Sequence, residues 1–119
     1  MIQLVCLLTR NPALSPEEFQ AHWRDVHGPL MRTPEIARHI LRYEQHPRLP
    51  GRAGGPSDHD GVAIQWFRSL EDFQAFLAEP AYAELIRPDE QRLLDLDAIE
   101  VLLTAEPRVV IGAHQSWSV

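Results

Sequence analysis

Residues 21–30 read AHWRDVHGPL, and His27 is the side chain best placed in this sequence to move a proton. Imidazole is the one group whose ordinary pKa lies near neutrality. His27 stands one helical turn beyond Trp23 and next to Leu30, so its ring falls at the edge of an apolar stripe. Burial there disfavours the cation, whereas a helix C-terminus favours it. Opposed pulls of that kind leave a histidine near neutrality, where a general acid or base is most effective. The plainer alternative is a histidine that caps the carbonyls of its own helix end.

Other candidates surround it. Tyr43 can donate a hydrogen bond to a substrate carbonyl, and Asp60 is a second candidate for holding an enol oxygen. Trp23, Leu30 and Trp66 are apolar enough to wall a pocket for a flat ligand, although aromatic residues more commonly serve the core. His22 lies five residues before His27, about 140° away around an α-helix, which rules out the usual shared metal and points to solvent or an interface. Asp58-His59-Asp60 reads as a polar loop end. No histidine or cysteine cluster has metal-ligand spacing, and no phosphate loop or nucleophile motif is present. No metal and no cofactor are therefore expected.

These groups need elements to hold them. IQLVCLL (2–8) is an uninterrupted apolar run of strand length. Ser15, Pro16 and Glu18 then form a helix start with a capping box, followed by Phe19, Trp23, Val26 and Leu30 at helical spacing. Gly28-Pro29 predicts that this helix ends near His27. Residues 38–48 read as a second strand, and the Gly/Pro-rich 49–60 as a long hairpin connection. GVAIQWF (61–67) is a third strand, and Ser69 caps a helix through LEDFQAFLA. A further helical stretch opens after Pro80. AIEVLLT supplies a fourth strand, with a short extended piece expected after Pro107. The order β-α-β-β-α-β is the split pattern of ferredoxin-like folds, an α+β class.

The chain of 119 residues is read as one domain, 1–119, with residues 112–119 peripheral or at a dimer interface. Its eleven basic residues are all arginine against a net charge of −6, so it lacks a nucleic-acid footprint, and without lysine it can form no side-chain Schiff base. No apolar run reaches the ~20 residues that cross a bilayer, so no membrane partner is expected. The start of the chain lacks signal-peptide features, and the lone Cys6 suits a reducing cytoplasm, the expected location. Apolar side chains on both faces of the first and fourth strands leave one face bare, and a second copy of the chain is the simplest cover.

LVCLLTRNPALSPEEFQAHWRDVHGPL, DHDGVAIQWFRSLEDFQAF and the closing EPRVVI together resemble the EthD family of dimeric α+β-barrel proteins, W-x-x-x-H-G-P-L being the most specific part. The resemblance implies a ferredoxin-like protomer that pairs sheet to sheet, with a ligand cavity between sheet and helices. It points to His27 as the acid/base residue. His46 stands approximately where related isomerases carry a second histidine, which makes it a substrate-binding candidate. The function implied is cofactor-free acid/base chemistry of dehydratase, cyclase, isomerase or decarboxylase type. Its substrate would be a small aromatic or polyketide-like metabolite. A cofactor-free quinol monooxygenase and a non-catalytic metabolite-binding dimer are the alternatives.

Overall fold

The computed structural model describes residues 1–113; the tail expected at the periphery or an interface lies almost wholly outside the described residues. The chain runs β1 (Ile2–Leu8), α1 (Pro16–His22), a π-helical segment π1 (Trp23–His27), α2 (Gly28–Met31) and α3 (Pro34–Ala37). It continues through β2 (Arg42–Pro47), a 3-10 turn (Gly51–Gly54), β3 (Gly61–Phe67) and α4 (Leu70–Ala78). A second π-helical segment, π2 (Tyr82–Ile86), leads into α5 (Arg87–Leu93), and β4 (Glu100–Ala105) closes the sheet. The four strands form one antiparallel sheet in the order β2-β3-β1-β4, the ferredoxin-like arrangement. No described helix is long and apolar enough to cross a membrane.

The start of the first helix follows the sequence reading. Ser15 accepts from the Glu18 N–H while Glu18 accepts from the Ser15 N–H, so two donors without partners in the helix are satisfied reciprocally. Its end does not. The helix passes straight through Gly28-Pro29 by widening at Trp23–His27, where the Gly28 N–H reaches back five residues to the Trp23 carbonyl. The wider turn moves aside the carbonyl that the Pro29 ring would otherwise strike. Pro88 enters the second long helix the same way, behind a turn in which the Arg87 N–H reaches the Tyr82 carbonyl.

The second strand is shorter than the expected 38–48, because the turns of the Pro34–Ala37 helix, which buries Ile36 completely, continue with hydrogen bonds through Ile40. After Pro107 the described residues form no strand. The 49–60 connection is tied down by Arg48, whose guanidinium donates to the carbonyls of Gly55, Ser57 and His59.

Strand register decides which side chains meet. Leu4 and Leu8 of β1 and Ala63 and Phe67 of β3 pack under the helices. Alternation therefore turns Val5, Leu7, Val62, Ile64 and Trp66 to the opposite, outer face. Under the helices the core splits in two. One cluster gathers Leu4, Met31, Ile36, Phe67, Phe76 and Ile86, and the other Leu8, Phe19, Trp23, Ala63, Leu93 and Leu94. Cys6 and Tyr43 touch both. The seam between the two clusters is polar.

Candidate active site

The seam is organised by Asp89, which α5 buries to 1% exposure. One of its oxygens contacts His22 Nε2 at 2.7 Å and the other His27 Nδ1 at 2.9 Å. The widened turn makes this possible: residues five apart, splayed on a regular α-helix, here fall on one face. The expectation that His22 faces solvent or an interface is therefore corrected. His27 also lies mid-helix, so a helix C-terminus contributes nothing to its charge.

A carboxylate accepts only, so it selects the His27 tautomer with its proton on Nδ1 and leaves a lone pair on Nε2. His27 Nε2 has no hydrogen bond among the described residues, and the side chain keeps 9% exposure. Burial pulls the imidazole below its ordinary pKa; Asp89 opposes that pull and the neighbouring His22 reinforces it. The result is a neutral, oriented imidazole. Burying a lone carboxylate would cost several kcal/mol, roughly, and two imidazole N–H groups offset this. Among the described residues no group of three or more His, Cys, Asp or Glu side chains could hold a metal ion.

Tyr43 rises from β2 toward the same interior. Burial pushes its hydroxyl above the ordinary phenol value, and Gln45 Nε2 donates to it at 3.4 Å. Gln45 also donates to the Trp23 carbonyl at 2.8 Å, fixing strand to helix. Two clefts open beside this junction. One of about 850 Å³ is lined by Arg10, Trp23, Gln45, Leu49 and Asp60 among others. The other, about 610 Å³, has Gly28, Met31, Ile40, Tyr43 and Gln45 in its wall. His27 lines neither, lying one residue inward from Gly28.

The remaining candidates are placed elsewhere. Asp60 is committed to Arg10, taking its backbone N–H at 2.9 Å and its guanidinium at 3.0 Å, so both oxygens are occupied. Leu30 packs into the first apolar cluster. Trp66 and His46 occupy the outer face, where Arg42 lies over the Trp66 ring and Glu44 meets His46 Nε2 at 2.8 Å. A pocket under the helices of this protomer is out of their reach, which corrects their assignment as its walls. Asp89, Glu90 and Gln65 were not anticipated. DEQ inside a polar helical stretch gives no sign of burial, and only the mid-helix prolines hinted at widened turns.

A four-stranded antiparallel sheet with helices on one face, and a histidine–aspartate pair between them, defines an α+β protein of ferredoxin-like fold. The EthD domain profile matches residues 11–97, and the chain belongs to the EthD family. It is 29% identical over 106 residues to dehydratase aurZ of Gibberella zeae, covering 77% of this chain and 70% of that one. It is 27% identical over 107 residues to the conidial pigment biosynthesis dehydratase EthD of Metarhizium robertsii, covering 78% and 75%. Solved structures share the fold. An EthD family protein from Bacillus halodurans superposes with TM-score 0.68 at 16% identity over 90% of this chain and 99% of that one. A dimeric protein of ferredoxin-like fold from Bacteroides fragilis gives 0.63 at 10% identity over 86% and 92%.

Proposed function

We propose that the protein is a cofactor-free dehydratase that acts on a small aromatic, polyketide-type β-hydroxy ketone with His27 as its base. The observation that carries this reading is the Asp89–His27 contact, which leaves Nε2 unprotonated and without a hydrogen bond among the described residues. The names of the two dehydratase relatives support the reaction class. In this reading Nε2 takes the proton from the carbon beside the ketone. Tyr43, held protonated by burial, donates to the enolate oxygen that forms. Apolar clusters on either side keep bulk water away from both charges.

We further propose a homodimer through the outer sheet face, where Val5, Leu7, Val62, Ile64 and Leu102 present apolar side chains that no helix covers. His46 and Trp66 would then serve the interface.

The test is 3-hydroxy-1-tetralone, a bicyclic β-hydroxy ketone whose loss of water gives 1-naphthol, with oxygen uptake followed in parallel. Expected is naphthol formation without oxygen consumption, reduced about 100-fold or more in His27→Gln. Unchanged turnover in a folded His27→Gln protein overturns the reading. Oxygen uptake would favour a monooxygenase instead, and saturable binding without product a carrier.

A further inference from the structure

Two groups in the seam have no part in the chemistry above. Gln65 is 8% exposed, and its Oε1 is buried without a hydrogen-bond partner. Proteins rarely leave a buried amide oxygen unpaired unless something arrives to pair with it. Register places Gln65 between Tyr43 on β2 and Leu4 on β1, all on the helix-facing side. Next along β3 on that side is Ala63, a single methyl between Gln45 and Cys6.

Glu90 is the second group. It follows Asp89 on α5, about 100° further round the helix, and so presents a different face. Tyr82 Oη donates to its Oε1 at 2.8 Å, and Oε2 has no hydrogen bond among the described residues. Its charge is felt by both Tyr43 and Cys6, which stand diagonally on either side of Gln65 and Ala63. Glu90 is therefore within electrostatic range of the patch that holds Ala63 and the unpaired Gln65 amide.

We propose that Gln65 and Glu90 form the subsite for the departing hydroxyl of the substrate, with Glu90 delivering the proton that lets it leave. This rests on the dehydratase reading above. A hydroxyl both donates and accepts, so it can satisfy either atom of the Gln65 amide. In the step, His27 Nε2 removes the proton from the carbon beside the ketone, and the freed electron pair becomes the new C=C bond. The C–O bond breaks and its oxygen takes the Glu90 proton, so water departs. The imidazolium and the Glu90 carboxylate then exchange their proton with solvent. Burial, and to a lesser degree the charge of Asp89, raise the Glu90 carboxyl, against the Tyr82 hydrogen bond and Arg87.

The experiment compares 3-hydroxy-1-tetralone with its 3-acetoxy analogue, whose acetate leaves without a proton. Glu90→Gln keeps the shape and still accepts from Tyr82. It should lose about 100-fold in kcat on the hydroxy ketone and less than about 5-fold on the acetoxy ketone. His27→Gln should lose on both, and Glu90→Asp should show a smaller loss confined to the hydroxy ketone. An equal loss on both substrates in Glu90→Gln, or no loss on either, overturns the proton delivery.

A second arm needs no turnover. Fluorescence titration of the His27→Gln protein should show 3-hydroxy-1-tetralone binding at least about tenfold tighter than 1-tetralone, which lacks only the departing hydroxyl, and adding Gln65→Leu should erase that preference. A preference that survives in Gln65→Leu overturns the subsite. A protein inert toward both ketones overturns the dehydratase reading and the proton delivery with it, while the titration still judges whether Gln65 holds a hydroxyl.

Discussion

His27 and Asp89 stand 62 positions apart in the chain and meet through a contact of 2.9 Å between Nδ1 and Oδ2. Because His22 takes the other oxygen, one carboxylate orients two rings and joins the first long helix to the last. Asp89→Ala should leave both imidazoles without their buried partner and cost about 3–5 kcal/mol, read as a lower urea midpoint. Asp89→Asn should destabilise less, because it keeps the shape. It offers one acceptor and a donor instead of two acceptors, so the His27 tautomer is no longer fixed. Turnover should fall by about 10²-fold or more while the protein stays folded.

Acid should weaken the protein through His27. Its folded pKa lies below the ordinary 6.5, chiefly through burial and also through the charge of His22, against the pull of Asp89. Below pH 6.5 the unfolded chain binds the proton that the folded ring refuses, so stability rises with pH in that window. The contribution is complete above pH 6.5 and is lost as pH falls through the folded value. The acid limb of kcat/KM should be centred below pH 6.5 for the same reason. His27→Gln should make the acid arm of a melting-temperature profile shallower; an arm as steep as before would remove this residue from the account.

Gly61 is glycine because a ring lies against it. A Cβ there would sit 2.7 Å from Trp23 Cζ3 and 3.1 Å from the His46 carbonyl. Gly61→Ala must displace a fully packed indole and should cost about 1–3 kcal/mol. Gly28 gives the contrast, since a Cβ there would meet Gln45 Nε2 at an ordinary 3.5 Å. Gly28→Ala should be neutral or stabilising by up to about 1 kcal/mol, from helix propensity. Denaturant titration of the two variants checks both.

The proposed dimer should depend on the outer face. Leu102 is 63% exposed on the edge strand of that face. Leu102→Arg should lower the sedimentation mass from twice the 13.6 kDa chain to one copy without loss of secondary structure. An unaltered protein that sediments as a single chain would remove the dimer.

The fold was legible in the sequence where local chemistry decides it. Ser15 and Glu18 announce a helix start by themselves, and the uninterrupted apolar run of β1 announces a strand. The site was only half legible. His27 stood out because it follows Trp23 on an apolar stripe. Its partner did not, because Asp89 acquires meaning only when α5 docks on the first helix. His22 was misplaced by counting a regular turn through residues 23–27, where the backbone takes a wider one. Trp66 and His46 were misplaced for a different reason. Residue type says that a strand position is apolar or ionisable, whereas only the register says which side it faces.

The divided interior has a mechanical consequence. The Phe67–Phe76–Ile86 group and the Phe19–Trp23–Leu93 group are threaded on the same elements, since β1 carries Leu4 into one and Leu8 into the other, and β3 carries Phe67 and Ala63 likewise. Neither half can come loose on its own. A change made where they meet is therefore transmitted to both.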